Sequence, residues 1–162
     1  MMDEIILQNP WWKTKRIDDI KIGSIKRDDF SLIKKQLNDT QITCLIGARR
    51  VGKTTLMFNT IDHLLKTGSK PEEILYISLD SPKIRMHLKQ NFNEVFQQYS
   101  ETILKIPLDQ LKNTIYVFLD EVHKLDEWED IIKYWQDLQL PIKFIVSGSS
   151  AIRIIKGSGE SL

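Results

Sequence analysis

One eight-residue run constrains the fold of this chain more than any other feature. Residues 47–54 read G-x-x-x-x-G-K-T and directly follow an apolar stretch, residues 42–46. Glycines at both ends of such a loop let the backbone turn tightly and approach a ligand without a Cβ in the way. The loop N–H groups and the N-terminus of the next helix then converge on one phosphate. The run therefore predicts a strand, a Walker A phosphate-binding loop and a helix.

The loop positions have separate expected roles. Lys53 is expected to reach the β- and γ-phosphate oxygens of a nucleotide, and Thr54 is expected to ligate Mg²⁺. Apolar residues at helical spacing predict a helix after Lys53, and Gly68 stands where a left-handed cap would end it. Arg49 and Arg50 suit either a solvated loop or contact with a phosphate, a neighbouring domain or a nucleic acid. The predicted nucleotide-binding positions are Gly47, Ala48, Arg49, Arg50, Val51, Gly52, Lys53, Thr54 and Thr55.

A second motif follows the apolar run of residues 115–119, which is typical of a strand buried on both faces of a parallel sheet. The run ends in Asp120-Glu121, a Walker B element. Asp120 is expected to hold Mg²⁺, directly or through water. Glu121 is placed to polarise the water that attacks the γ-phosphate, and with Lys53 it is a predicted catalytic residue.

The rest of the chain alternates between strand and helix patterns. Further strands are predicted at residues 74–79 and 143–146, with helices after Ser81-Pro82 and after Asp126, where Asp126 and Glu129 have capping-box spacing. Alternating buried strands and helices predict an α/β fold, a three-layer sandwich with a central parallel sheet. An N-terminal arm, residues 1 to about 27, precedes a short helix capped by Asp28 or Asp29, so that residues 1–39 form an N-terminal part and residues 40–162 the core.

Composition excludes several classes of protein. A formal net charge of +1 argues against a dedicated nucleic-acid clamp, and no apolar run is long enough to span a bilayer. The acidic start, Met1-Met2-Asp3-Glu4, does not resemble a secretory signal. Cys44, the one cysteine, is expected to be a small buried hydrophobe, which suits a reducing cytoplasm. We therefore predict a cytoplasmic protein with no membrane partner.

Taken together, the motifs resemble the AAA+-like P-loop ATPases of bacteria and archaea, specifically a broad group of ATP-binding proteins with an Arg-Arg phosphate loop. The resemblance rests on G-A-R-R-V-G-K-T-T, F-L-D-E-V-H-K and F-I-V-S-G-S-S, and it covers residues from about 40 to 162. It implies a P-loop NTPase fold, with ATP and Mg²⁺ as cofactors and the fourth strand between the Walker A and Walker B strands. Either Ser147 or Ser149 would then be the catalytic sensor residue.

The resemblance also implies a fifth strand, a helical lid and an arginine finger. After Ser150 the chain offers only residues 151–162, so we expect it to be truncated before the fifth strand and lid, with a C-terminal domain missing. Hydrolysis by this chain alone is then expected to be weak, because an arginine finger contributes on the order of a thousandfold to phosphoryl transfer. A protein partner and a homo-oligomer both stay open.

Three functions fit these patterns. The favoured one is an ATPase that binds ATP with Mg²⁺ and releases ADP and phosphate. The second is a nucleotide-dependent signalling switch with little turnover. The third is a helicase or translocase motor, because Asp120 to His123 spells D-E-x-H, although a helicase core needs two such domains and no nucleic-acid partner is otherwise indicated. Trp11 and Trp12 are expected in the core, with a place beside an adenine as the alternative.

Overall fold

A four-stranded parallel sheet forms the centre of the computed structural model, which describes residues 1–24 and 27–149. The strand order is β1-β4-β3-β2, and every neighbouring pair is parallel. The fourth strand therefore lies between the two strands that precede the predicted Walker A and Walker B motifs, as the resemblance implied. The strands are β1 (Thr43–Gly47), β2 (Ile74–Ser78), β3 (Ile115–Asp120) and β4 (Ile142–Ser149).

The helices cover both faces of this sheet, which confirms the predicted three-layer α/β sandwich. One layer contains α5, α6 and α1, and the other contains α3, α4 and the aromatic side chain of Trp11. In the part of the chain that is described, no helix is long and apolar enough to cross a membrane. The helices are α1 (Met2–Gln8), α2 (Trp11–Thr14), α3 (Arg27–Gln36), α4 (Lys53–Lys66), α5 (Pro82–Tyr99) and α6 (Trp128–Asp137).

Alternation along the strands divides the core into two halves. In β2, Leu75 and Ile77 pack toward α5 and α6, whereas Ile74 and Tyr76 pack toward α4. Successive side chains of a strand point to opposite faces, so a strand with helices on both sides is apolar throughout. This is why the four predicted strands read as continuous apolar runs.

The N-terminal arm covers the free edge of β2 with side chains instead of a strand. The Asn9 side chain hydrogen-bonds both backbone groups of Tyr76, and the side-chain Oε1 of Gln8 accepts from the N–H of Ser78 at 2.8 Å. The indole N–H groups of Trp11 and Trp12 both donate to the carbonyl of Ile74. Trp11 is fully buried, so the core placement is confirmed and no surface of Trp11 remains for a base.

Two predicted helix caps differ from the structure. The third helix begins at Arg27, so Asp28 and Asp29 lie inside its first turn rather than at its cap. There their negative charges interact favourably with the positive end of the helix dipole. The helix at Trp128 has no side-chain cap. Asp126, predicted to cap it, instead pairs with Lys89 at 2.8 Å.

The long helix after Ser81-Pro82 is interrupted. Ser81 accepts from the N–H of Ile84 as predicted for an N-cap, but the backbone leaves helical geometry at Asn91. The Asn91 side chain accepts the N–H of Glu94 at 3.1 Å, so it caps the second half of α5. A π-helical turn, Ser100–Leu104, then continues α5 toward Pro107.

Two other expectations have different outcomes. Cys44 was expected to be buried and is only partly buried. The expected truncation before a fifth strand concerns residues 150–162, which lie outside the described range.

Candidate functional site

The predicted loop connects the carboxyl end of β1 to the N-terminus of α4. Gly52 has φ +95°, a conformation that disfavours any side chain, and Arg50 also adopts positive φ, at 62°. A Cβ at Gly47 would come 2.9 Å from the side chain of Val51. The backbone therefore turns in the way that the two glycines predicted, and α4 begins at Lys53 as expected.

The side chain of Lys53 folds over this loop. Its ammonium donates to the carbonyl of Gly47 at 3.0 Å and to that of Ala48 at 2.8 Å, and the residue is 9% exposed. A lysine ammonium has three N–H groups, so one more can donate to a phosphate oxygen while both loop bonds persist. Lys53 is thus held over the loop by two carbonyl groups, with one N–H group left to donate to an anion.

The tip of the loop is open to solvent, whereas its end packs against the N-terminal arm. Ala48, Arg49, Arg50 and Val51 are exposed. Thr55 is partly buried and packs closely against Gly23, where an added Cβ would lie only 2.7 Å from the Thr55 methyl group. The two arginines therefore face solvent at the mouth of the loop, free to meet a phosphate, a neighbouring domain or water.

The predicted Mg²⁺ ligands lie together. The Thr54 hydroxyl donates to Oδ2 of Asp120 at 2.7 Å, and Asp120 is only 3% exposed, at the end of β3. Both groups offer the hard oxygen ligands that Mg²⁺ prefers. The donor set therefore fits the cation that the sequence implied.

Glu121 follows Asp120 in a strained backbone conformation. It has φ 62°, in the left-handed region that non-glycine residues rarely adopt. Its N–H donates to the hydroxyl of Ser147 at 3.0 Å, and its carboxylate lies 3.3 Å from Nε2 of His123. Strain of this kind costs about 1–3 kcal/mol and persists where surrounding contacts fix it, often at functional sites.

Ser147 and Ser149 lie two residues apart on β4, which continues through Ser149 rather than ending at Val146. Two such residues share a face of the strand. Ser147 is fully buried, and its hydroxyl donates to Oδ1 of Asp120 while accepting from Glu121. Ser149 instead uses its backbone N–H, which donates to Nδ1 of His123 at 3.5 Å. Of the two serines, Ser147 is therefore the one whose side chain contacts both Asp120, at its carboxylate, and Glu121, at its backbone N–H.

Sequence reasoning missed Tyr76 at this site and considered His123 only as part of the D-E-x-H pattern. Tyr76 donates its hydroxyl to Oδ2 of Asp120 at 2.8 Å, and His123 bridges Glu121 and Ser149. Tyr76 is opposite Phe118 in the register of β2 and β3, so it shares a face with Asp120 two residues further on. The pairing of β2 with β3 places Tyr76 beside Asp120, and the apolar pattern of β2 alone could not have predicted this contact.

Comparison with known proteins identifies a family and two similar proteins, one archaeal and one bacterial. Residues 39–162 match the family described as an AAA domain. An uncharacterized protein of Methanocaldococcus jannaschii is 31% identical over 135 residues, which cover 80% of this chain and 27% of that protein. An uncharacterized protein of Haemophilus influenzae is 28% identical over 129 residues, 78% of this chain and 30% of that protein. The chain therefore spans less than a third of the length of these relatives.

Two solved structures resemble the fold distantly. Caenorhabditis elegans PCH-2 aligns with a TM-score of 0.49 and 14% identity, over 93% of this chain and 43% of that chain. The Saccharomyces cerevisiae Hsp104–ADP complex aligns with a TM-score of 0.48 and 22% identity, over 79% of this chain and 19% of that chain.

Proposed function

Because the chain belongs to the AAA domain family, we propose that it binds ATP with Mg²⁺ at the loop between β1 and α4 and hydrolyses it to ADP and phosphate. Family membership supports a nucleotide-binding, ATPase-like core. One observation carries the finer proposal: the Lys53 ammonium, the Thr54 hydroxyl and the Asp120 carboxylate converge where the loop, α4 and β3 meet.

Binding is assigned to the loop and to the first turn of α4. The unpaired N–H groups of a helix N-terminus carry a partial positive charge and attract phosphate. Lys53 adds a full positive charge, already directed over the loop by two carbonyl groups. The exposed residues Ala48 to Val51 then line the entrance through which the triphosphate approaches.

The cation is assigned to Thr54 and Asp120. Bound there, Mg²⁺ would supply positive charge to the phosphate oxygens as the terminal phosphate leaves. The Asp120 carboxylate is held in one orientation, because each of its two oxygens accepts a hydrogen bond from a hydroxyl group. Thr54 links the helix to the sheet, since it belongs to α4 and its hydroxyl contacts Asp120 at the end of β3.

Glu121 is assigned the role of general base. Its carboxylate accepts a proton from a water molecule as the water oxygen attacks the γ-phosphorus, and the bond to the β,γ-bridging oxygen breaks to release ADP. Ser147 holds the Glu121 backbone, and His123 contacts the carboxylate, so this side chain starts from a fixed position. A base held in place loses less entropy on reaching its reactive geometry.

The larger protein is part of the proposal. The relatives are more than three times as long as the matched region, and we propose that a C-terminal domain and a second copy or protein partner complete the site. Residues 40–162 would then be the nucleotide-binding unit, and residues 1–39 an attached N-terminal part. Because no arginine finger is assigned among residues 1–24 and 27–149, we expect turnover by this chain alone to be slow.

Titration with a fluorescent ATP analogue, with and without Mg²⁺, tests binding. We expect wild type to bind and Lys53→Ala to lose at least tenfold in affinity. Lys66→Ala is the matched control, because Lys66 lies at the other end of the same helix and is 73% exposed. Equal affinity of Lys53→Ala and Lys66→Ala would refute binding at this loop.

Phosphate release tests the reaction separately. Glu121→Gln should keep the affinity of wild type for ATP and lose hydrolysis, because the amide cannot accept the proton from water. Asp130→Asn is a control on the first turn of α6, where a carboxylate is replaced outside the site. Unchanged phosphate release by Glu121→Gln would refute the assigned base and leave the binding site standing.

A further inference from the structure

The Asp120 carboxylate accepts three hydroxyl groups, and one of them comes from outside the nucleotide motifs. Thr54 and Tyr76 donate to Oδ2, and Ser147 donates to Oδ1. Thr54 belongs to the loop and Ser147 to the strand end that the sequence pointed to. Tyr76 lies in the middle of the edge strand β2, and its hydroxyl lies 2.8 Å from the carboxylate.

The direction of this hydrogen bond is fixed. An ionised carboxylate can only accept hydrogen bonds, whereas a phenol hydroxyl carries a proton, so Tyr76 donates to Oδ2 of Asp120. The ring itself is held by aromatic contacts, with its centroid 4.9 Å from that of Phe58 and 6.5 Å from that of Trp11. The hydroxyl is therefore delivered from a rigid ring to one side of the carboxylate.

The backbone of Tyr76 is fixed as well, by the N-terminal arm. Asn9 Nδ2 donates to the Tyr76 carbonyl at 2.7 Å, and Asn9 Oδ1 accepts the Tyr76 N–H at 2.7 Å. Asn9 is fully buried and also donates to the carbonyl of Ile5 in α1. A continuous set of contacts thus runs from the arm, through Tyr76, to the carboxylate assigned to Mg²⁺.

We propose that Tyr76 is a positioning residue for Mg²⁺, fixing the Asp120 carboxylate in the orientation that the cation requires. The inference rests on the proposed function, since it concerns the same site. With donors on both oxygens, rotation of the carboxylate about its Cβ–Cγ bond breaks hydrogen bonds. Without the Tyr76 hydroxyl, Thr54 alone would hold Oδ2, and Thr54 itself is a proposed Mg²⁺ ligand.

The test compares Tyr76→Phe with wild type for its dependence on Mg²⁺. Phenylalanine keeps the ring that packs on Phe58 and Trp11 and removes only the hydroxyl. We expect the Mg²⁺ concentration that half-maximally enhances binding of the ATP analogue to rise about fivefold, the size of one hydrogen bond's net contribution. Affinity for the analogue in EDTA should stay unchanged, because Lys53 and the loop are untouched. Tyr116→Phe on the adjacent strand is the matched control and should match wild type in both measurements.

Each outcome decides between the alternatives. An unchanged Mg²⁺ requirement in Tyr76→Phe would overturn the inference. So would an equal loss of affinity in EDTA, because that result assigns Tyr76 a role in the fold alone. If wild type itself binds the analogue without any effect of Mg²⁺, or does not bind it, the proposed function fails first, and that failure is visible before any variant is made.

A measurement on wild type keeps the inference testable if the variant does not fold. With ¹³C at the Cζ atom of its four tyrosines, the protein should show one resonance that shifts when Mg²⁺ is added to the ATP-bound protein. The hydroxyl of Tyr76 contacts the carboxylate that would take up the cation, so its Cζ should respond. Four resonances unaffected by Mg²⁺ would overturn the inference.

Discussion

Replacing Asn9 by alanine tests how the N-terminal arm is attached to the sheet. Asn9 is fully buried, and its amide makes two hydrogen bonds of 2.7 Å to the backbone N–H and carbonyl of Tyr76. β2 is the edge strand, so on this side Asn9 takes the place of a neighbouring strand. Alanine would leave both Tyr76 groups buried and without these hydrogen bonds.

The magnitude follows from those two groups. A buried polar group left unsatisfied costs about 1–3 kcal/mol, and water reaching the edge would recover part of it. We therefore expect Asn9→Ala to lower the free energy of unfolding by about 3 kcal/mol. With a urea m-value of about 2 kcal/mol/M, the unfolding midpoint should fall by about 1.5 M. A domain stable by about 5–15 kcal/mol would still fold.

Urea denaturation followed by far-ultraviolet circular dichroism measures this change. Asn113→Ala is the matched control, because the Asn113 amide also makes a 2.7 Å hydrogen bond, to Glu73, but on the exposed surface. That variant should change the free energy of unfolding by at most about 0.5 kcal/mol. If the two variants agree within about 1 kcal/mol, the arm does not stabilise β2 in the way described.

Two further predictions concern buried polar groups. Ser147→Ala removes the acceptor for the Glu121 N–H and should lower the rate of hydrolysis about tenfold or more, a barrier change of about 1.4 kcal/mol. Ser149→Ala should leave the rate of hydrolysis within twofold of wild type. Equal phosphate-release rates for the two variants would contradict this prediction. Lys143 is 2% exposed and pairs with Asp39 at 2.7 Å, while the Asp39 side chain is 47% exposed. Lys143→Met should therefore change the free energy of unfolding by less than about 1 kcal/mol, whereas Asp39→Ala should lower it by about 3 kcal/mol. Only Asp39→Ala leaves a buried charge without its carboxylate partner. Urea denaturation that gave the opposite order of stabilities would refute this account.

The sequence predicted those parts of the fold that rest on local pattern. Strands buried on both faces need continuous apolar runs, and the loop needs glycine where φ is positive, as at Gly52. The Ser81-Pro82 start of α5 follows from capping chemistry, which involves neighbours in the chain. Each of these signals lies within a few residues of the structure that it predicts.

Contacts between distant segments could not be predicted in this way. Asn9 and Tyr76 are 67 residues apart, and nothing in either segment indicates the other. Asp126 has the spacing of a cap but pairs with Lys89 instead, because the helix α5 lies beside it in space. The choice of Ser147 over Ser149 required the register of β4 against β3, which places Ser147 beside Asp120.

The central claim is that the loop between β1 and α4 binds the triphosphate of ATP. A crystal structure of this chain with Mg²⁺ and a non-hydrolysable ATP analogue tests it most directly. We predict the terminal phosphates within hydrogen-bond distance of Lys53 and of the first turn of α4, with the cation beside Thr54 and Asp120. An analogue bound elsewhere on the chain, or none at the loop at a concentration that saturates binding in solution, would contradict the account.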